Sequence, residues 1–258
     1  MARIPIGLEL YSVRQDFAKD PLGTLKAVAA MGYQGVEFAG GTELSGPLLR
    51  AMLEETKLVC CGWHTPVEML LDDKLAATIA MNKAVGNKRV IVPGLPPQMT
   101  GSKPNWLKTA SFFNELADKL APHDLVTGYH LHHVDAIAVG GERPWDVFAA
   151  NTEGRFIMQM DTGNALCGGA DPVALLAKYP GRAGTVHLKP YSPSDATDDM
   201  NRGFNRLIGK DELPWKDIFG VCETTAGTQW YIVEYEIGLI PPLEGVKQCL
   251  QALRVMGK

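Results

Sequence analysis

Four polar residues close short apolar runs rich in β-formers: His130 in GYHLHH, Asp161 in MQMDTGN, His187 in TVHLKP and Glu234 in YIVEYE. Glycine, proline or polar residues follow each one, so each is expected to project from the carboxyl end of a strand. Two imidazoles and two carboxylates make a donor set suited to Mn²⁺, Zn²⁺, Co²⁺ or Fe²⁺. Such an ion neutralises charge developing on a carbonyl oxygen when the next carbon loses a proton. A carboxylate or imidazole within about 3 Å can carry that proton. On this chemistry Glu234 reads as ligand and base, with His132 or Lys189 returning the proton or handling a departing oxygen. His132 shares a strand side with His130, because Leu131 between them points the other way, and Lys189 shares a side with His187 if the strand continues.

The elements that must position these residues follow from the hydrophobic pattern. Apolar runs place strands near 4–10, 34–38, 58–63, 88–92, 125–130, 156–161, 183–188 and 230–235. Amphipathic stretches near 21–31, 45–57, 72–85, 104–120, 144–150, 171–178, 213–224 and 242–256 alternate with them. Eight βα units recurring about every 30 residues imply a single (β/α)8 TIM barrel over 1–258, whose chemistry sits at the strands' C-terminal face. Asp20-Pro21 and Asp171-Pro172 are cap and first-turn pairs, and Gly32 and Gly86 stand where C-terminal glycines are expected. The segment YSPSDATDDMNRGFN after His187 is too long for an ordinary connection and reads as a lid or binding loop.

Other strand ends supply substrate-binding candidates. Glu37 and His64 aim at the same mouth, with an ion pair at the barrel rim and a structural hydrogen bond as their ordinary alternatives. Arg206 and Arg202 in the long loop could meet a carboxylate or phosphate, against the default of solvated arginines. Trp63, Trp106 and Trp145 could stack on a sugar, although packing is the commoner role. His133 and Asp135 are expected in a loop, and His123 at a solvated helix end.

A net charge of −4 gives no global field for a phosphate backbone, so no nucleic-acid partner is expected. The chain contains no apolar run of 18 residues, and Met1 to Pro5 lead into a strand without a signal-peptide core. A cytoplasmic protein without a membrane partner is the expectation. Five cysteines, with Cys60 and Cys61 adjacent, form neither a CxxC pair nor an even disulfide framework and are expected reduced, with one of that pair in the barrel wall.

The opening IGLELYSVRQDFAKDPLGTLKAVAAMGYQGVEFAG, then GYHLHH, QMDTGN, VHLKP, IGKDELPWKDIF and WYIVEYE, resembles the sugar phosphate isomerase/epimerase family of xylose isomerase-like barrels over nearly the whole chain. That superfamily also includes the family 2 AP endonucleases. The resemblance implies one divalent metal at the C-terminal mouth, usually manganese, cobalt or magnesium, binding vicinal sugar oxygens. Asp161, His187 and Glu234 match the family's ligands on strands six, seven and eight; its fifth-strand ligand is often glutamate, where this chain has His130. Many relatives read Tyr-His-Asn-His and then Glu there, against Tyr129, His130, Leu131, His132 and Asp135 here. In the epimerases of this type the two glutamates act as a pair of acid/base groups, and Glu234 lacks that twin.

The implied activity is isomerisation or epimerisation of a ketose or keto-sugar by enediolate-type proton transfer. The alternative is a lyase or dehydratase acting on a keto-sugar, keto-inositol or 3-keto-glycoside. A non-catalytic sugar-binding barrel is a third reading, opposed by the intact ligand set. The superfamily's apurinic endonuclease is excluded by charge and by Asp161-Thr162-Gly163-Asn164, which lacks that enzyme's extra histidine. No glycine-rich phosphate cradle is evident, and relatives are often dimers or tetramers, so a homo-oligomer is compatible with the resemblance.

Overall fold

The protein's structure is a computed structural model that describes residues 3–71 and 73–258, so Met1, Ala2 and the predicted helix start at Asp72 lie outside the described residues. The eight strands among the described residues are short and mostly apolar, because both of their faces are covered. They are β1 (Ile6–Glu9), β2 (Gly35–Ala39), β3 (Val59–His64), β4 (Arg89–Val92), β5 (Val126–His130), β6 (Ile157–Asp161), β7 (Thr185–Leu188) and β8 (Trp230–Val233). All pair in parallel and in sequence order, and β1 closes on β8 with Gly7 opposite Ile232, giving a closed barrel. Outward-facing Leu8, Val36, Val90, Met160, Val186 and Val233 are buried beneath the surrounding helices.

The main helices are α1 (Pro21–Met31), α2 (Gly46–Thr56), α3 (Lys74–Ala84), α4 (Lys103–Leu120), α5 (Pro144–Asn151), α6 (Pro172–Lys178), α7 (Trp215–Thr224) and α8 (Pro242–Val255). Local chemistry sets their ends. The Asp20 carboxylate accepts from the Gly23 amide at 2.9 Å, and Asp171 accepts from Val173 at 2.8 Å. Gly32, at φ 99°, takes the left-handed conformation that ends α1. The outer core is densest between α4 and α5, where Phe113, Phe148 and Phe156 meet edge to face with centroids 5.2–5.4 Å apart.

Two features aim side chains at the mouth. The β2–β3 pairing shifts between Val36, opposite Cys60, and Glu37, opposite Gly62, so Cys61 is an extra residue in β3. This bulge turns Gly62 and His64 inward beside Glu37 and leaves Trp63 facing out. The long segment after β7 forms short 3-10 turns at Pro193–Asp195 and Met200–Asn205. It folds back so that Phe204 packs on Tyr191 at 4.6 Å and lies 5.0 Å from the Lys189 ammonium.

Candidate active site

His130 ends β5, and its Nδ1–H donates to the Gln159 side-chain oxygen at 2.9 Å. That bond fixes the tautomer, so Nε2 carries a lone pair. Its nearest carboxylates are Asp161 Oδ2 at 3.6 Å and Glu234 Oε2 at 3.9 Å, too far for hydrogen bonds. Burial, reinforced by His187, pushes the imidazole well below its ordinary range and keeps it neutral. Asp161 ends β6 and caps the short helix Thr162–Cys167, accepting from the Asn164 amide through Oδ1 at 2.7 Å. Its Oδ2 is buried and without a hydrogen-bond partner among the described residues. Burial and the neighbouring Glu234 drive this carboxyl far above the usual carboxylate range, as expected of an anionic site short of a cation.

His187 lies between two carboxylates, with Nδ1 2.6 Å from Glu234 Oε2 and Nε2 2.6 Å from Glu37 Oε2. Although burial opposes its charge, Glu37 and Glu234 hold it protonated well above the ordinary histidine range. Glu234, just past β8, also accepts from the Lys189 ammonium at 2.6 Å, and Lys189 reaches Glu236 as well. Against the upward push of burial, Lys189 and His187 keep the Glu234 carboxyl far below its usual value. His130, Asp161, His187 and Glu234 each offer a ligand atom, and these atoms lie within 4.8 Å of one another. A free imidazole lone pair, an orphaned carboxylate oxygen and a second carboxylate with its histidine fit a divalent ion.

Beneath this group, His64, Glu37 and Gln159 form a fully bonded platform. His64 donates from Nδ1 to Glu9 at 2.9 Å and from Nε2 to Gln159 Oε1 at 2.7 Å. Despite burial, Glu37 and Glu9 lift His64 to about 9. The Gln159 amide donates to Glu37 at 3.0 Å and to Thr185 at 2.9 Å, so its four bonds orient both histidines and Glu37 together. Only glycine fits at position 62, since a Cβ there would fall on Glu37 Oε1. Gly62→Ala is therefore expected to cost about 1–3 kcal/mol in urea unfolding and to weaken metal retention; wild-type values for both would refute the role given to this close approach.

A family model described as a xylose isomerase-like TIM barrel matches residues 25–256. The chain belongs to the xylose isomerase-like TIM-barrel family. Two sugar phosphate isomerases/epimerases from Parabacteroides distasonis resemble it, one at TM-score 0.81 and 20% identity over 98% of this chain and 97% of that one. The other has TM-score 0.79 and 24% identity over 98% of both chains. A D-allulose 3-epimerase from Methylomonas sp. superposes at TM-score 0.69 and 12% identity, over 99% of this chain and 98% of that one. At these identities the likeness is one of fold. No curated protein matches the chain.

In this xylose isomerase-like barrel, Glu37, His64, His130, His132, Lys189 and Glu234 lie at one end of the barrel, where a cavity of about 310 Å³ is lined by Glu9, His64, His130, His132, Glu234 and Glu236 among others, while Glu37 is fully buried behind it. The Asp135 amide donates to the His132 carbonyl and the Asp135 carboxylate accepts from the His132 amide, both at 3.0 Å, which fixes the backbone that carries the His132 ring. Burial holds His132 down to about 4, making it a neutral donor at pH 7.

Arg206 does not join the site. Its guanidinium is half-exposed and paired with Asp195 eleven residues away on the same loop. Trp63 points out of the barrel interior, tilted by 33° against Phe38 at 4.8 Å and donating to the Gly40 carbonyl at 2.8 Å, because the Cys61 bulge gives the inward position to His64. Trp106 and Trp145 are buried in the outer core. Asp135, expected in a loop, is buried in the short helix His133–Ala136, bonded to the Tyr129 hydroxyl and the His132 amide. Glu9 and Gln159 escaped the sequence reading. Glu9 carries the same signal as the others, a polar residue at a strand's carboxyl end, but Leu10 and Tyr11 extend the apolar run past it. Gln159, two residues before Asp161, has no local signal.

Proposed function

We propose that this chain is a divalent-metal-dependent isomerase or epimerase of a ketose or keto-sugar, moving a proton between carbons beside a carbonyl. The observation that carries the reading is the convergence of the free His130 Nε2, the unpartnered Asp161 Oδ2, His187 and Glu234 at one buried point on the mouth. His130, Asp161, His187 and Glu234 would hold the ion, with manganese the first choice and cobalt, magnesium, zinc or iron as alternatives for this nitrogen and oxygen set. When bound, such an ion supplies Lewis-acid stabilisation of charge developing on a substrate oxygen.

The chain's own groups supply the rest. Glu37 holds the His187 Nε2 proton and so presents Nδ1 toward Glu234 and the mouth. Lys189 keeps Glu234 ionised, ready as ligand and proton acceptor. His132 offers an N–H to a substrate oxygen on the same cavity wall. A lyase reading is favoured by one feature: His130 stands where a second carboxylate base would serve symmetric epimerisation, while His132 and Lys189 can donate a proton to a departing oxygen.

The test is elemental analysis of untagged protein after Mn²⁺ loading and desalting. About one equivalent should be retained by the wild type, and the His187→Ala protein should fall by at least tenfold. Wild-type protein that retains no metal after loading would overturn the reading.

A further inference from the structure

Glu9 is the buried strand-end carboxylate that the reading above leaves unused. It closes β1 at 3% exposure. Its Oε1 takes the His64 proton, while Oε2 is buried with no hydrogen-bond partner among the described residues. His64 cannot turn to serve it, because its other nitrogen is bonded to Gln159. Glu9 is thus oriented from behind, and it lines the same cavity as His132 and Glu234. A buried carboxylate oxygen without a donor is costly, and a ligand hydroxyl arriving in the cavity would supply one.

The charge of the cavity narrows the ligand. Glu9, Glu234 and Glu236 line it, and the Lys189 ammonium is already shared between Glu234 and Glu236. His64 is committed to Glu9 and Glu37. Arg206 is held by Asp195, and Arg14 lies over the Tyr11 ring at 4.2 Å and lines a neighbouring cavity. A phosphoryl group would meet the carboxylates of Glu9 and Glu236 here, and the ammonium beside them, Lys189, is already paired. Resting on the sugar reading above, we propose that Glu9 Oε2 accepts a substrate hydroxyl and, with Glu236, restricts the site to uncharged, unphosphorylated sugars.

The test is calorimetric binding of D-fructose, D-tagatose and D-xylulose, and of their terminal phosphate esters, to Mn²⁺-loaded protein. At least one free ketose should bind, with its phosphate ester at least tenfold weaker. Glu9→Gln should weaken the free sugar by roughly ten- to a hundredfold, since the amide nitrogen would face the hydroxyl in place of an acceptor, while the bound metal stays at the wild-type level. Tighter binding of the esters, or wild-type sugar affinity in Glu9→Gln, overturns this assignment and leaves the sugar reading standing. The comparison of free and phosphorylated sugars needs no variant, so esters that bind as tightly as the free sugars overturn the exclusion even if Glu9→Gln fails to fold. Metal retention with no binding of any of the six compounds removes the sugar reading and this assignment with it.

Discussion

The Glu234→Gln protein is expected to turn over a ketose substrate roughly 10²–10⁴-fold more slowly than the wild type. Three losses coincide at this side chain. The amide is a poor metal ligand, it cannot accept a proton as the carboxylate does, and it no longer neutralises Lys189 and His187, both bonded to it at 2.6 Å. Metal retention should fall in parallel, because an uncompensated ammonium and imidazolium beside the ion oppose its binding. Steady-state kinetics, elemental analysis and far-UV circular dichroism on the same preparation separate these effects. A folded Glu234→Gln protein that holds its metal and works at the wild-type rate would remove Glu234 from the chemistry.

The second large effect lies away from the mouth. Phe113→Ala is expected to lower stability by about 3–5 kcal/mol, because the ring is fully buried and meets Phe148, Phe156 and Phe112 at 5.2–5.4 Å. No single neighbour can fill the space, since the surrounding rings hold one another edge to face. Urea unfolding reads the loss, and a change under about 1 kcal/mol would mean that the α4–α5 layer collapses onto the gap. Metal retention at 25 °C should survive in the fraction that remains folded, which separates this lesion from those in the site.

His130, Asp161, His187 and Glu234 were readable because each interrupts a local pattern: a polar side chain closing an apolar run, with a turn signal next. The eight barrel helices were readable for the same reason, and Asp20, Gly32 and Asp171 act where the chain announces them. Trp63 and Arg206 were misplaced by features without a local signature. One depends on a bulge at Cys61 that exists only in the pairing with β2, and the other on an ion pair that forms once the loop folds back.

The sequence by itself determined the strand and helix periods, the caps and the four donors that face one end of the barrel, because these depend on neighbours within a few positions. Tertiary structure decided how those donors are held. Gln159 joins His64, His130, Glu37 and Thr185 across separations of up to 122 residues, and Glu37 reaches His187 across 150. Tautomers, charge states and the unpartnered oxygens of Asp161 and Glu9 follow from those bonds. The bonds exist only because β1 closes on β8 and brings every strand end to a common mouth, where burial makes each proton's position a matter of which partner lies within 3 Å.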